Sequence, residues 1–195
     1  MAIRELYEEE SDKVQAFLLA LSEQDRYRRF GRPMTDAALR QYAARIDWDE
    51  SVLLGAFDAH TALAGILELA DIGRASEIAV AVALEHRGQG VGKALMDRAL
   101  LKAKVRGRDK VLLLCQVDNE PMRRLARSAG LESTLEDGEV TGTLEWPHPR
   151  LADVTEDATR DAIGNAAYAT LLTTRAWAEL FERAAYTSRQ RLPEG

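Results

Sequence analysis

Residues 76–105 read SEIAVAVALEHRGQGVGKALMDRALLKAKV, and this stretch decides the fold. It opens with an apolar, β-branched segment at 78–82, continues into a glycine-rich loop at 87–92, and ends in a helical pattern. The apolar residues of that pattern fall on one stripe: Val91, Leu95, Ala99 and Ala103. A strand, a glycine loop and a helix in this order form an anion site, because glycine lets the backbone approach a ligand and the helix N-terminus offers unpaired N–H groups.

The spacing of the glycines separates three kinds of phosphate-binding loop. A dinucleotide fingerprint, G-x-G-x-x-G, would need a third glycine at the position of Lys93. A P-loop, G-x-x-x-x-G-K-[ST], would need a glycine in place of Arg87 and a hydroxyl in place of Ala94. The pattern that fits is R-x-x-G-x-G, formed by Arg87, Gly90 and Gly92. A purely structural strand-to-helix turn is the alternative interpretation.

This loop resembles the acetyl-CoA pyrophosphate loop of the GNAT N-acyltransferases. A second stretch, NEPMRRLARSAGL at 119–131, is similar to that family's signature N-x-x-A-x-x-L-Y-x-x-x-G-F, with departures at Met122 and Leu131. A further departure is Ala126, which stands where many members carry a tyrosine that acts as general acid to the leaving thiolate. The resemblance therefore leaves this role without a residue here.

The order of elements agrees with that family. Hydrophobic periodicity predicts β-α-α-α-β-β-β-α-β-α-β-β, an α/β fold with a mixed, mostly antiparallel sheet and helices on both faces. Four polar residues are expected to cap helices, the second of them with Asp25 completing a capping box: Ser11, Ser22, Thr35 and Asn119. A last hairpin is expected to turn at Asp137 and Gly138.

The chain is expected to divide at its C-terminal side. Residues 1–146 form the GNAT domain, and residues 147–195 form a helical extension that is strongly helical from Asp157 to about 191. Thr173 and Thr174 are expected to divide it into two helices. Its apolar residues fall near one stripe: Ile163, Ala167, Leu171, Trp177, Phe181 and Ala184. We expect this stripe to pack on the domain or on a neighbouring subunit, the latter as a homodimer.

Composition excludes several classes of protein. Hydrophobic residues make up 46% and the net charge is −6 without a long basic run, which argues against a nucleic-acid partner. One cysteine excludes an internal disulfide framework, and three scattered histidines give no zinc spacing. No apolar run approaches the ~20 residues that span a bilayer. We therefore expect a cytoplasmic protein without a metal or a membrane partner.

The resemblance implies where acetyl-CoA binds. In this family the cofactor lies in a gap between the motif strand and the next strand, so backbone groups of Val80 and Val82 would hold the acetyl carbonyl and the pantetheine arm. Asn119 would contact the arm from the neighbouring strand. The loop amides would hold the pyrophosphate, with glycine required at 90 and 92. The loop residues concerned are Arg87, Gly88, Gln89, Gly90, Val91, Gly92 and Lys93.

Acetyl transfer to an amine also needs a base. An amine with a pKa near 10.4 is protonated at pH 7, and freeing its lone pair costs about 4–5 kcal/mol. A carboxylate beside the acetyl group could take that proton directly or through water. The segment SEIAVAV resembles the A-E-F-A-V-x-V strand of bacterial protein-lysine acetyltransferases, in which the glutamate is the base, and this implies Glu77. The alternative for Glu77 is a strand-end carboxylate paired with an arginine. Glu68 and Glu85 are lesser candidates for the base, and Cys115 is expected to be a core residue.

Residues 21–30 are similar to a second segment of those enzymes, L-S-x-x-S-R-Y-x-R-F, with Asp25 in place of the second serine. The basic cluster at 26–30 is interpreted as a solvated face with Tyr27 and Phe30 packed inward. Its alternative role is contact with an acyl-carrier phosphate or an acidic protein.

The resemblance implies an acetyl-CoA-dependent N-acetyltransferase. The acceptor is expected to be a protein lysine and otherwise a small amine. A non-catalytic acyl-CoA-binding sensor is the alternative from another class, because Ala126 removes the usual acid.

Overall fold

The computed structural model describes residues 1–136, 138–146 and 148–190. The strands are β1 (Ala2–Leu6), β2 (Ser51–Phe57), β3 (Leu63–Ile72), β4 (Ala75–Val82), β5 (Lys110–Gln116), β6 (Glu132–Glu136) and β7 (Glu139–Glu145). The α-helices are α1 (Ser11–Ala20), α2 (Glu23–Phe30), α3 (Asp36–Ala43), α4 (Val91–Val105), α5 (Glu120–Ser128) and α6 (Leu151–Gln190). Short 3₁₀ turns occupy Glu8–Glu10 and Leu84–His86. The predicted order of elements and the α/β class are confirmed.

The sheet has the strand order β1-β2-β3-β4-β5-β7-β6, and every neighbouring pair except β4–β5 is antiparallel. The parallel pairing of β4 with β5 covers only four residues of each strand, from Ala75↔Lys110 to Ile78↔Leu113. Beyond these pairs β4 continues to Val82, and β5 continues to Gln116. The two central strands therefore separate at their C-terminal ends, which opens a gap in the middle of the sheet.

Each face of the sheet buries its own hydrophobic cluster. Helix α4 covers one face with Leu95, Met96 and Ala99, which pack with Ile78 and Val80 of β4. Helices α1 and α3 cover the other face with residues that include Val14, Leu18 and Leu39. Because side chains alternate along a strand, the odd-numbered residues of β4 face α1–α3 and the even-numbered ones face α4.

Three of the four predicted helix caps are confirmed. The side chains of Ser22, Thr35 and Asn119 each accept a hydrogen bond from an amide in the first turn of their helix. The prediction for Ser11 was wrong, because the preceding 3₁₀ turn runs directly into α1 and leaves Glu10 at the N-cap. The hairpin that joins β6 to β7 is present, whereas its predicted turn residue Asp137 lies outside the described residues.

The predicted break in the C-terminal extension was wrong, and α6 is one helix from Leu151. The hydroxyls of Thr173 and Thr174 donate to carbonyls one turn earlier, each at 2.9 Å, so both side chains are satisfied inside the helix. The helix also begins earlier than predicted, because the Asp153 carboxylate accepts a hydrogen bond from the Arg150 amide at 2.7 Å and caps the first turn. No helix in the described ranges is long and apolar enough to cross a membrane.

Helix α6 packs on β1 and α4 with a face that hydropathy identified only in part. Of the predicted stripe, Leu171 does pack on the domain, against the cluster under α1 and α3, whereas Ile163 is 63%, Trp177 58% and Phe181 69% exposed. Ala184 lies beyond the residues whose side chains are described. The rest of the packed face carries acidic and small residues, together with one tyrosine: Asp153, Asp157, Asp161, Gly164 and Tyr168.

Candidate active site

A cleft of about 420 Å³ opens where β4 and β5 separate. It is walled by β4, the glycine loop, the start of α4, α5 and α2. The structure brings together around it all predicted cofactor residues except Gln89: Val80, Val82, Arg87, Gly88, Gly90, Val91, Gly92, Lys93 and Asn119. The side chain of Gln89 instead donates to the Glu85 carbonyl at 2.8 Å.

Only every second residue of β4 directs its backbone N–H and C=O groups into the cleft. The Ala83 amide donates to the Ala64 carbonyl of β3 at 2.9 Å, so the odd-numbered residues direct their backbone groups to β3. By alternation, the N–H and C=O groups of Val80 and Val82 point towards β5. Because β5 has moved away there, the backbone of β4 can bond a ligand in the manner of a neighbouring strand.

The glycine loop holds two residues in the left-handed region, Gly88 at φ 74° and Gly90 at φ 81°. A side chain at either position would be strained. Gly92 has ordinary helical φ, and a Cβ there would lie 3.5 Å from Leu125, which is ordinary contact. The chain alone therefore requires glycine at 88 and 90, whereas a requirement at 92 would have to come from the close approach of a ligand.

Helix α4 begins at the edge of the cleft and supplies amide donors to it. Its first backbone bond runs from the Ala94 amide to the Gly90 carbonyl at 3.0 Å. The amides of Val91, Gly92 and Lys93 precede that bond and have no acceptor within the helix. Together with the positive end of the helix dipole, they form an anion site.

Three positive side chains outside the predicted cofactor set also line the cleft, two of them from the basic cluster whose alternative role was contact with an acyl-carrier phosphate. They are Arg28, Arg29 and Arg124. The two positive side chains that were assigned are already engaged, since Arg87 lies 2.7 Å from Asp25 and Lys93 lies 2.9 Å from Asp97. Sequence spacing could not bring α2 and α5 to the same loop, because only the tertiary fold does so.

The basic cluster at 26–30 is not the solvated face that was predicted. The Arg26 guanidinium donates to the Leu19 and Leu21 carbonyls at 2.6 and 2.9 Å, and it pairs with Asp36. Tyr27 is 45% exposed, so its predicted inward packing was wrong. Phe30 does pack inward, with its ring edge-on to Tyr42 at a centroid distance of 4.9 Å.

Glu77 lies half-buried in β4 between Ala70 of β3 and Leu112 of β5. Its side chain is on the face of the sheet that α1–α3 cover, three residues before Val80. It does not line the cleft itself, and it forms no ion pair with any described residue, so the alternative interpretation as half of an arginine pair gains no support. On the same face Leu114 is 48% exposed, which leaves the surface beside Glu77 open.

The other candidate bases are placed less well. Glu68 accepts from Arg29 Nη2 at 2.6 Å and from the Tyr42 hydroxyl, so its carboxylate is occupied. Burial raises the pKa of Tyr42 to about 12, with the Glu68 carboxylate adding to the rise and Arg29 opposing it. Tyr42 therefore stays a hydrogen-bond donor. Glu85 is exposed on a 3₁₀ turn.

Two residues named in the sequence are core residues. Cys115 is 4% exposed, and burial raises the pKa of its thiol, which does not suit a nucleophile. Ala126 is 2% exposed and belongs to the cluster under α4. Its position on α5 faces the core, so no side chain at this position can protonate the leaving thiolate.

Comparison with known proteins agrees with this geometry. A model of the acetyltransferase (GNAT) family matches residues 15–131. The GNAT domain of S. lividans PAT is 21% identical over 74% of this chain and 89% of its own, with a TM-score of 0.64. No curated protein matches the sequence.

Two further solved structures differ in the acceptor that their names state. Ribosomal-protein-alanine N-acetyltransferase from Brucella melitensis is 18% identical, covers 75% of this chain and 100% of its own, and has a TM-score of 0.62. Spermidine N-acetyltransferase from Vibrio cholerae, in complex with CoA and spermine, is 20% identical, covers 73% and 94%, and has a TM-score of 0.59. At these identities the likeness concerns the fold alone.

Proposed function

This chain belongs to the acetyltransferase (GNAT) family, whose members use acetyl-CoA as co-substrate, and on that premise we propose how it transfers the acetyl group. Acetyl-CoA binds in the cleft between β4 and β5, a protein lysine is the acceptor, and Glu77 is the general base. The observation that carries the proposal is the separation of two parallel strands beside a glycine loop at a helix N-terminus.

The cleft suits each part of the cofactor. Backbone groups of Val80 and Val82 face the gap and can bond the acetyl carbonyl and the amide-containing arm. The N-terminal amides of α4 can bond the pyrophosphate, since they have no acceptor within the helix. Arg28 and Arg124 add positive charge around a ligand that carries several negative charges.

The base acts from the face of β4 that carries the Glu77 side chain, which is opposite to the face covered by α4. The amine attacks the acetyl carbonyl, a C–N bond forms, the C–S bond breaks and CoA leaves as the thiolate. Three residues of extended strand span about 10 Å, so the proton reaches Glu77 through water. A thiol has a pKa near 8.5, so the thiolate can leave without a side-chain acid at Ala126.

A protein lysine is favoured over a small amine by the surface around Glu77. That surface is open, with Leu114 48% exposed on the neighbouring strand, whereas a small amine needs an enclosed pocket for recognition. The similarity of residues 21–30 and 76–82 to protein-lysine acetyltransferases supports the same acceptor.

Incubation with labelled acetyl-CoA and a cell lysate tests the function. We expect label on lysine side chains of proteins, together with release of free CoA. Label found only on small amines would show that the acceptor is a small amine and not a protein lysine. Binding of acetyl-CoA without any CoA release would support the sensor alternative instead.

Replacement of Glu77 by Gln tests the base, because it keeps the size of the side chain and removes its basicity. We expect kcat to fall ~10²–10⁴-fold with unchanged acetyl-CoA affinity, and the deficit to narrow at high pH, where more of the amine is neutral. Glu85→Gln is the matched control at an exposed position and should keep full activity. A Glu77→Gln enzyme with near-normal kcat at pH 7 would contradict the assignment.

A further inference from the structure

The arginine of the glycine loop is held by helix α2. Arg87 Nη2 lies 2.7 Å from Asp25 Oδ1, and Arg87 Nε donates to the Val82 carbonyl at 3.1 Å. These contacts join three elements at the mouth of the cleft: the end of β4, the loop and the first turn of α2. They also mean that the charge of Arg87 is already balanced by a carboxylate in the protein.

The Asp25 carboxylate is fixed as firmly as its partner. Ser22 Oγ donates to Asp25 Oδ2 at 2.6 Å and accepts from the Asp25 amide at 3.2 Å. The side chain of Asp25 is only 14% exposed. Burial raises the pKa of Asp25, but the hydrogen bonds from Ser22 and Arg87 outweigh it and hold the pKa below the ordinary aspartate value. A negative charge thus lines a cleft whose other charged groups are mainly positive.

We propose that Asp25 is a positioning residue: it binds Arg87 and so fixes α2 to the glycine loop, and Arg87 serves to neutralise Asp25 rather than to bind the pyrophosphate. This inference rests on the proposed acetyl-CoA site. Asp25 stands where the similar segment of protein-lysine acetyltransferases has a serine, so that pattern does not include the carboxylate that pairs with Arg87 here.

The position of α2 matters for both substrates. Arg28 and Arg29 on this helix line the cofactor cleft, and Arg29 also binds Glu68 on the face of the sheet that carries Glu77. Release of the first turn of α2 would therefore loosen the wall between the cofactor and the acceptor. Hence loss of the Asp25–Arg87 pair should lower kcat, even where the affinity for CoA is kept.

Two single variants and their combination separate neutralisation from direct binding. Arg87→Gln leaves the Asp25 carboxylate unpaired beside the pyrophosphate, so we expect the Kd for CoA to rise on the order of 10-fold by calorimetry. Asp25→Asn in the same protein removes that charge, and the double variant should return to within about threefold of wild type. Asp25→Asn alone should bind CoA at least as tightly as wild type and show a lower kcat.

Other results overturn the proposal. A double variant as weak as Arg87→Gln would mean that Arg87 binds the ligand directly. Weaker CoA binding by Asp25→Asn alone, or wild-type binding by all three variants, would equally contradict it. Circular dichroism and thermal melting of each variant exclude unfolding as the cause. Asp25→Asn also retains the backbone N–H of residue 25, which donates to Ser22 Oγ.

Two controls complete the experiment. Lys93→Gln removes a positive charge of the same cleft that pairs with Asp97, so Asp25→Asn should not rescue it. Gly90→Glu places a side chain and a negative charge in the loop and should abolish CoA binding. If it does so while the double variant is not rescued, only the role of Asp25 fails; if it still binds CoA, the acetyl-CoA site fails and this proposal with it.

Discussion

Helix α4 is packed on two sides that are held by different interactions. Towards the sheet it buries apolar side chains that are 0% exposed: Leu95, Met96, Ala99 and Ala103. Towards α6 it presents Arg98, Lys102 and Lys104, which meet Asp157, Asp161 and Asp153. Apolar burial needs no fixed geometry or ionisation state, whereas ion pairs depend on both. We therefore expect α6 to leave α4 under conditions in which the sheet side stays intact.

The largest effect is expected on the apolar side. Leu95→Ala removes a fully buried side chain between α4 and the sheet, so the free energy of unfolding should fall by ~2–5 kcal/mol in urea denaturation. The same substitution at Leu180, which is 56% exposed on α6, is the control and should change stability by ~0.5 kcal/mol or less. Equal losses of unfolding free energy for Leu95→Ala and Leu180→Ala would contradict the distinction between the two sides.

A smaller effect is expected on the charged side. Arg98→Met keeps most of the side-chain volume but leaves Asp157 and Asp161 without their arginine. The loss should be about 3 kcal/mol or less, because Asp161 regains water when α6 lifts from the domain. Hydrogen exchange should show loss of protection in α6 while the sheet stays protected. Arg160→Met, which breaks only an exposed pair with Glu156, should leave α6 protected.

Acid should release α6 by the same route, as the smallest of the three effects. The Arg150 amide and the Lys104 ammonium lower the pKa of Asp153 to about 2. Burial raises the pKa of Asp161, but Lys102 and Arg98 outweigh it and leave the pKa below the ordinary value.

Carboxylates with a lowered pKa stabilise the folded state above the pKa of the unfolded chain, near 3.9, and this contribution is lost as the pH falls towards 2. The protection factors of the α6 amides, that is, their exchange compared with an unfolded chain at the same pH, should therefore fall between about pH 4 and pH 2, before the sheet loses protection. Simultaneous loss of both would show that α6 is not a separate unit.

Much of the fold could be predicted because its signals are local. The glycine loop, the period of α4 and the caps at Ser22 and Asn119 each depend on neighbouring residues. Most of the docking face of α6 could not be predicted from hydropathy, because its contacts beyond Leu171 are mainly ion pairs and a close approach. At Gly164 the helix lies so near the Ile3 carbonyl that a Cβ would overlap it. Tyr168 packs against the Arg4 guanidinium, 4.0 Å from its ring centroid.

The candidate site was predictable to the extent that it is built from one continuous stretch. Residues 80–93 bring most of the proposed cofactor site with them, since strand, loop and helix are consecutive. The contributions of Arg28 and Arg124, and the pairing of Asp25 with Arg87, join segments that are distant in sequence. The sequence shows that these residues are charged, but only the tertiary structure determines which groups they contact.

The short pairing between β4 and β5 also has a mechanical consequence. Four residue pairs join the four strands on one side of the sheet to the three on the other, so this seam is the shortest link in the direction across the strands. A force that pulls the two halves apart would peel the seam from the end where the strands already diverge. A ligand seated across the gap would act there as a brace, and the rupture force would then report its occupancy.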